Sequence, residues 1–362
     1  MILISISKME LEQIFQDPSL FLPVRWDGGD FYEELKQRFE LFDKAVSRVV
    51  TEKSFQIKVR RVKRHLLLAV KKYQCGFPAD AYSSFNRAMK LLKEDPFLVY
   101  QKCANFKDTC GMIQNDPLDL YRIVRVPDNR KYGKERVFHT PLSMRSKVPT
   151  CRYSIAGFPS LYLGTEVQLC WEEVRFDPYK EVGLTAKFKI DRRIDNGNIR
   201  VYELAVKPQD FLEQDGNREG KRRRVERFAL MGNEIAAKYL LWYLLIMSCS
   251  FIRANKDDPF APEYIIPQLL MQWLRKEGES AQQLVGIRYF SCASERASDL
   301  GFNYVFPCDG KKARPDFPYS DVLVKSFLMT KPYYLNNYAN ADSCQWEMRR
   351  DCKLTRVDGT VI

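Results

Sequence analysis

The chain has 362 residues, 45% of them hydrophobic and 29% charged, so a core can close without a metal or disulfide. A formal charge of +12 and an isoelectric point near 9.1 favour anionic partners such as nucleotides or nucleic acid. The opening MILISISKME holds too short an apolar patch for a cleavable signal, and the apolar run YLLWYLLIMSCSF (239–251) is too short to span a bilayer. The ten cysteines form no CxxC pairs, and Cys103, Cys110, Cys344 and Cys352 have no histidine at zinc-like spacing. The expectation is therefore a cytoplasmic protein with reduced, mostly buried thiols and no membrane partner.

In chain order, residues 1–110 read as a small helical bundle. FYEELKQRFELFDKAVSRVV (31–50) alternates charged and apolar residues at helical spacing. In 55–76, Val59, Val62, Leu66, Val70 and Tyr73 recur at three- and four-residue steps until Gly76 stops the helix. Asp80 is placed to cap the next helix, and Asp95-Pro96 closes it. From 111 onward the pattern becomes mixed. Strands are predicted in LDLYRIVRVP (118–127), SLYLGT (160–165), 183–191, 198–206 and LVGIRYFSC (284–292). Helices are predicted at 166–176, 225–251 and 262–277, with an exposed charged loop at 213–226; DVLVKSFLMT (321–330) fits either element. The fold class expected is α+β, with a helical domain at 1–110 and a catalytic domain at 111–362.

The familiar catalytic templates are absent: no GxGxxG, P-loop, HExxH or GxSxG occurs. With only His65 and His139, a multi-histidine metal site is excluded. Polar chemistry then rests on arginine, tyrosine, glutamate and serine. Arginine binds phosphate through charge-assisted, bidentate bonds, and a tyrosine ring offers a face to a flat heterocycle. A carboxylate in a cleft can bond ribose hydroxyls and stabilise positive charge at an anomeric carbon. A cationic leaving group such as nicotinamide needs little acid assistance. Such residues suit NAD as substrate, with no further cofactor, but residue types alone do not select it.

LYRIVR (120–125), FHTP with Arg145 (138–145), RYSIAGFPSLYLGT with CWEEV (152–174), PEYIIPQLL (262–270), GIRYFS and FNYVFP (286–307) resemble successive blocks of the RES domain family. That family is named for an arginine, a glutamate and a serine. The resemblance implies an ADP-ribosyltransferase-like fold with a mixed or antiparallel central sheet and flanking helices. It also implies NAD-degrading toxin activity, often restrained by a helix-turn-helix antitoxin, and a role in bacterial defence by NAD depletion. Carried across, Arg122, Glu173 and Ser291 match the catalytic positions, and Arg152 and Tyr162 match substrate-binding ones. His139 falls in a matching block and is a further candidate for lining the pocket. Cys151 stands where the family pattern has glycine, and Ser154 where many members have asparagine. Glu172 lies beside Glu173, and helical spacing from Tyr162 selects Glu173.

In the implied site Arg122 and Arg152 clamp the pyrophosphate, Tyr162 packs on the nicotinamide end and Glu173 steadies the cationic transition state. The helical N-terminal unit is expected to serve oligomerisation or sensing. The main alternative is ADP-ribose transfer to a macromolecule docked on the basic loop 218–227. A second is nucleic-acid binding or cleavage by the basic helices, where Arg60 and His65 reproduce the Arg-x4-His spacing of helical HEPN-type ribonucleases. For that pair, a solvated basic helix face is the preferred reading.

Overall fold

The computed structural model describes residues 6–95, 99–100, 119–175, 177, 181–191, 199–212, 233–255, 257–281, 283–336 and 340–360. The predicted 213–226 loop, with its basic segment, and the Cys103 and Cys110 positions lie outside the described residues. The architecture is α+β: a helical region followed by a mixed sheet with helices.

The chain divides into two compact units, and the cut does not fall at residue 110. One unit comprises 1–99, 109–112 and 205–273; the other comprises 100–108, 113–204 and 274–362. The helical unit begins with α1 (Lys8–Ile14), α2 (Phe31–Val49), α3 (Lys53–Gln74) and α4 (Pro78–Lys93). Gly76, at φ +82°, ends α3 as its position in the sequence predicts. Asp80 is not the cap of α4 but lies in its first turn, because Pro78 opens the helix with Phe77 in the N-cap position.

The helix predicted at 225–251 is described as α5 (Asn233–Ser248), and it belongs to this helical unit rather than to the sheet. The reason is its composition. Tyr239 to Met247 are all buried, so the helix needs apolar neighbours on every side. Phe15 supplies an edge contact to Tyr243 at 5.0 Å, and Phe42 packs on the same ring at 4.8 Å. The Tyr243 hydroxyl donates to the Leu20 carbonyl, and the Trp242 indole to the Asp95 carbonyl at 2.9 Å. Helix α6 (Ile265–Ala281) is longer than predicted, and the unit boundary falls within it. No helix among the described residues is long and apolar enough to cross a membrane.

The second unit is built on strands β2 (Leu120–Val126), β3 (Ser160–Gly164), β4 (Val182–Ile190), β5 (Ile199–Leu204), β6 (Leu284–Tyr289), β7 (Asn303–Pro307), β10 (Phe327–Met329) and β11 (Tyr333–Leu335). A two-residue strand β1 (Val99–Tyr100) flanks β5, and the order runs β1-β5-β6-β7-β3-β2-β4-β10, with β11 also pairing β4. A separate hairpin joins β8 (Lys312–Arg314) and β9 (Phe317–Ser320). Strands β5 and β6 are parallel, which requires a long crossover, and the chain between them supplies 205–283. Among the described residues of this unit, the α-helix α7 (Val167–Val174) precedes β4 in sequence, while α8 (Glu295–Asp299), α9 (Asp321–Ser326) and α10 (Ala341–Arg350) follow β6. The ambiguous 321–330 segment is both elements in turn, helix α9 running directly into strand β10.

The ladder along this sheet is uneven. Strand β2 pairs with β4 over its whole length, Leu120↔Phe188 to Val126↔Val182, and β3 pairs with β7 from Ser160↔Pro307 to Gly164↔Asn303. Between β2 and β3 the register holds a single pair, Tyr121↔Gly164. The sheet therefore opens between these strands immediately beyond Tyr121. On β2, Leu120, Val124 and Val126 face one apolar core and Tyr121 and Ile123 another. Arg122 takes a position in the Leu120, Val124, Val126 series.

Candidate active site

Arg122 sits where β2 and β3 part. Its Nη1 donates to the Tyr162 carbonyl at 3.2 Å, a β3 acceptor that the opened ladder leaves without a β2 partner. Among the described residues it makes no ion pair, and its buried Nε has no hydrogen-bond partner. Burial pulls the guanidinium below its ordinary pKa, and the neighbouring groups acting on it are Tyr162 and the thiols of Cys170, Cys151 and Cys308. A guanidinium held in such a place is costly unless an anion meets it.

Tyr162 lies in β3, with its hydroxyl donating to the Tyr153 carbonyl. Burial drives that phenol well above its usual range, so it stays neutral. Its polar end is thus committed to the 151–154 turn, where Ser154 Oγ accepts from the Cys151 amide at 3.0 Å and donates to the Cys151 carbonyl at 2.8 Å. Ser154 consequently has a local task, tying the Arg152 turn to itself.

Glu173 is carried by α7, which follows β3 after Gly164 and Thr165. A side chain at Gly164 would place Cβ 2.7 Å from Cys170 Sγ, so this glycine permits the close approach of α7 to the strand. Cys170 in turn donates to the Tyr121 carbonyl at 3.2 Å. Thr165 fixes the opposite loop: its amide donates to the Phe302 carbonyl at 2.9 Å, and its Oγ1 accepts from the Phe302 amide at 3.0 Å. The next residue, Asn303, donates from Nδ2 to Glu173 Oε1 at 2.6 Å. The carboxylate at 173 is therefore oriented by a buried amide, whereas Glu172 has no hydrogen bond or ion pair among the described residues.

Cys151 is the common neighbour of these groups. Burial raises its thiol, the Arg122 charge and the Tyr162 hydroxyl lower it, and the Glu173 charge raises it. Tyr289, at the end of β6, completes the surround. Its ring lies 4.6 Å from that of Tyr153, and its phenol is raised by burial, then by Glu173 and Cys151, and lowered by Arg152. Arg122, Arg152, Tyr162 and Glu173 thus converge around Cys151 and Tyr289. The cluster combines positive groups, an oriented carboxylate and aromatic rings, with phenols and thiol all neutral.

Ser291 and His139 are engaged in local bonds. Ser291 is fully buried and its Oγ accepts from the Ala293 amide at 3.1 Å, a local turn bond. His139 is buried with both ring nitrogens in use. Nε2 accepts from the Ser320 amide at 3.0 Å, so Nδ1 carries the proton and donates to the Thr140 carbonyl at 2.8 Å. Burial, and after it the Arg122 charge, hold its pKa down to about 4, and the ring packs edge-on to Tyr319 at 5.4 Å. His139 is a neutral tie between the 139–140 segment and β9, and its Nδ1 lies 3.5 Å from Cys308 Sγ, a thiol that also neighbours Arg122. A cavity of about 310 Å³ does occur in this unit, but it is lined by Arg275, Leu284, Pro307 and Lys311 at the opposite strand ends from Glu173.

Asn303 and Tyr289 were absent from the candidates drawn from sequence. Both lie in the quoted GIRYFS and FNYVFP blocks, and the register Tyr289↔Asn303 sets them side by side on β6 and β7. Only strand pairing reveals that an asparagine far along the chain meets Glu173.

No protein-family model matches the chain, and no solved structure does. The chain is 26% identical over 322 residues to a protein of Bacillus subtilis (strain 168) described as "Putative toxin YopC", covering 86% of this chain and 67% of that protein.

Proposed function

We propose that the protein is a toxin that cleaves the nicotinamide N-glycosidic bond of NAD. The observation that supports this most is the pairing of opposite charges around Cys151. Among the described residues, a half-buried guanidinium without an ion pair stands where the sheet opens, and a carboxylate held by Asn303 shares Cys151 with it as a neighbour. The relative described as a toxin fits the biological role.

In this reading Arg122 and Arg152 bind the pyrophosphate, because their charge complements phosphate and arginine forks match its oxygens. The Tyr162 ring packs against the nicotinamide end, its hydroxyl being engaged with Tyr153. Glu173 bonds the nicotinamide ribose and stabilises the positive charge that grows as the bond breaks. The C1′–N bond breaks with its electron pair leaving on nicotinamide, which becomes neutral. A C1′–O bond then forms to the acceptor, and the acceptor releases its proton to solvent. Asn303 is a positioning residue that holds the carboxylate during this exchange.

The test resolves the products by phosphorus and proton NMR after incubation of purified protein with NAD, with and without inorganic phosphate. Free nicotinamide together with ADP-ribose is expected in water, and a phosphorylated ADP-ribose if phosphate is the acceptor. ADP-ribose attached to a macromolecule in lysate, with no free product, would shift the reading to transfer. Unchanged NAD under every condition, with no toxicity on expression, would overturn it.

A further inference from the structure

Helix α3 has a charge pattern that the cleft chemistry does not use. All of its charged residues, from Lys53 to Lys72, are basic. Three of them are neutralised: Lys58 pairs with Asp95 and Glu94, Lys63 with Asp43, and Lys72 approaches Asp80 at 3.9 Å. Among the described residues Lys53, Arg60, Arg61, Arg64 and Lys71 make no ion pair, and all five are exposed.

These free cations are not scattered. At 100° per residue, Lys53, Arg60, Arg64 and Lys71 fall within a sector of about 40°, opposite the buried face of Phe55, Val59, Val62 and Leu66. Arg61 flanks the stripe. From Lys53 to Lys71 it extends about 27 Å along the axis at 1.5 Å per residue. Helix α4 adds exposed Arg87 and Lys90, also without ion pairs among the described residues. The crowding is felt by His65. Burial lowers its pKa first, and the charges of Arg87, Arg64 and Arg61 lower it further. Its buried Nδ1 has no hydrogen-bond partner. Arg60 and His65 themselves point about 140° apart on the helix, so they do not form the paired site their spacing suggests.

We infer that the exposed face of α3, with Arg87 and Lys90 of α4, binds the phosphate backbone of duplex DNA without regard to sequence. Like charges at this density repel one another, and a polyanion relieves that repulsion. A stripe of about 27 Å matches a length of duplex that carries roughly 16 phosphates, both strands counted, at one charge per about 1.7 Å. A protein partner is disfavoured because such interfaces centre on buried apolar side chains, and this face offers little beyond Ile57. Single strands are disfavoured because no aromatic side chain is interleaved in the stripe to stack on bases. The B-form major groove admits a helix, while the deep, narrow groove of duplex RNA does not. This inference is independent of NAD cleavage.

The test uses the full chain and a fluorescent duplex of unrelated DNA sequence, with binding followed by anisotropy between about 50 and 200 mM salt. Wild type is expected to bind with a steep negative slope of log K on log salt. The variant Arg60→Gln/Arg61→Gln/Arg64→Gln should lose about 2.7 from that slope, at about 0.9 per phosphate contact. Its melting curve and NAD consumption should match wild type, which separates this result from any failure of the cleft reading. Absence of duplex binding at the lowest salt would overturn the inference, as would an unchanged slope in the variant. Equal or tighter binding of duplex RNA, single-stranded DNA or polyglutamate would also overturn it, by assigning the face to another polyanion.

Discussion

Arg122→Met isolates the most unusual feature of the cluster around Cys151. The substitution keeps the apolar stem and removes a guanidinium that has one carbonyl partner and an unpartnered Nε. Losing a hydrogen bond from a charged donor costs about 1.5–3 kcal/mol. Releasing a buried charge from its desolvation penalty returns several kcal/mol, discounted here because the side chain is only half-buried. The net is a gain of about 1 kcal/mol, or a rise in Tm of roughly 2–4 °C for a unit of this size. The assay is a thermal melt of the variant against wild type. A second pair of melts, both in a Glu173→Gln background to prevent turnover, adds NAD at 100 times Kd. The parent should gain about 2.7 kcal/mol from ligand and the Arg122→Met form none. A Tm that falls by several degrees, or NAD stabilisation that survives the substitution, would show that Arg122 serves the fold and not an anion.

Asn303→Ala removes the 2.6 Å bond that orients Glu173 and should lower kcat/KM for NAD by 10- to 100-fold, chiefly in kcat, at about 1.4 kcal/mol per decade. Steady-state kinetics check this; an unaltered kcat would remove Asn303 from the site. Gly164→Ala forces Cβ against Cys170 Sγ at 2.7 Å and should destabilise the second unit by about 1–3 kcal/mol, read in urea melts. For His139, the folded pKa near 4 lies below the ordinary 6.5, so the unfolded chain binds the extra proton between those values. Stability is present above pH 6.5 and is lost by about 3 kcal/mol as pH falls to 4. His139→Gln should flatten that slope by up to one proton, and an unchanged pH profile would contradict a buried neutral imidazole.

Much of the fold was legible locally. The amphipathic spacing in 31–50 and 55–76 depends only on neighbours along one helix, and α2 and α3 follow it closely. Strand β2 likewise shows its alternation in LYRIVRV. The division of the chain was not legible, because whether 233–248 packs on Phe15 and Phe42 or on the sheet is a tertiary choice. Strand β7 went unassigned although it pairs on both sides, since FNYVFP is short and apolar on both faces. The stretch RYSIAGFPSLYLGTEVQLCWEEV shows its turn, strand and helix locally, and Arg152, Tyr162 and Glu173 lie on these three in turn. Ser291 and His139 were carried by block similarity, and their hydrogen bonds show local structural work. Asn303 could not be read from spacing because it reaches Glu173 from a strand 130 positions onward.

The central claim is most directly tested by nicotinamide release from NAD, measured for wild type, Glu173→Gln and Glu172→Gln under identical conditions. Release is predicted for wild type and Glu172→Gln, with at least a 100-fold loss in Glu173→Gln, equivalent to about 2.7 kcal/mol of transition-state stabilisation. No release from wild type, or loss confined to Glu172→Gln, would contradict the account.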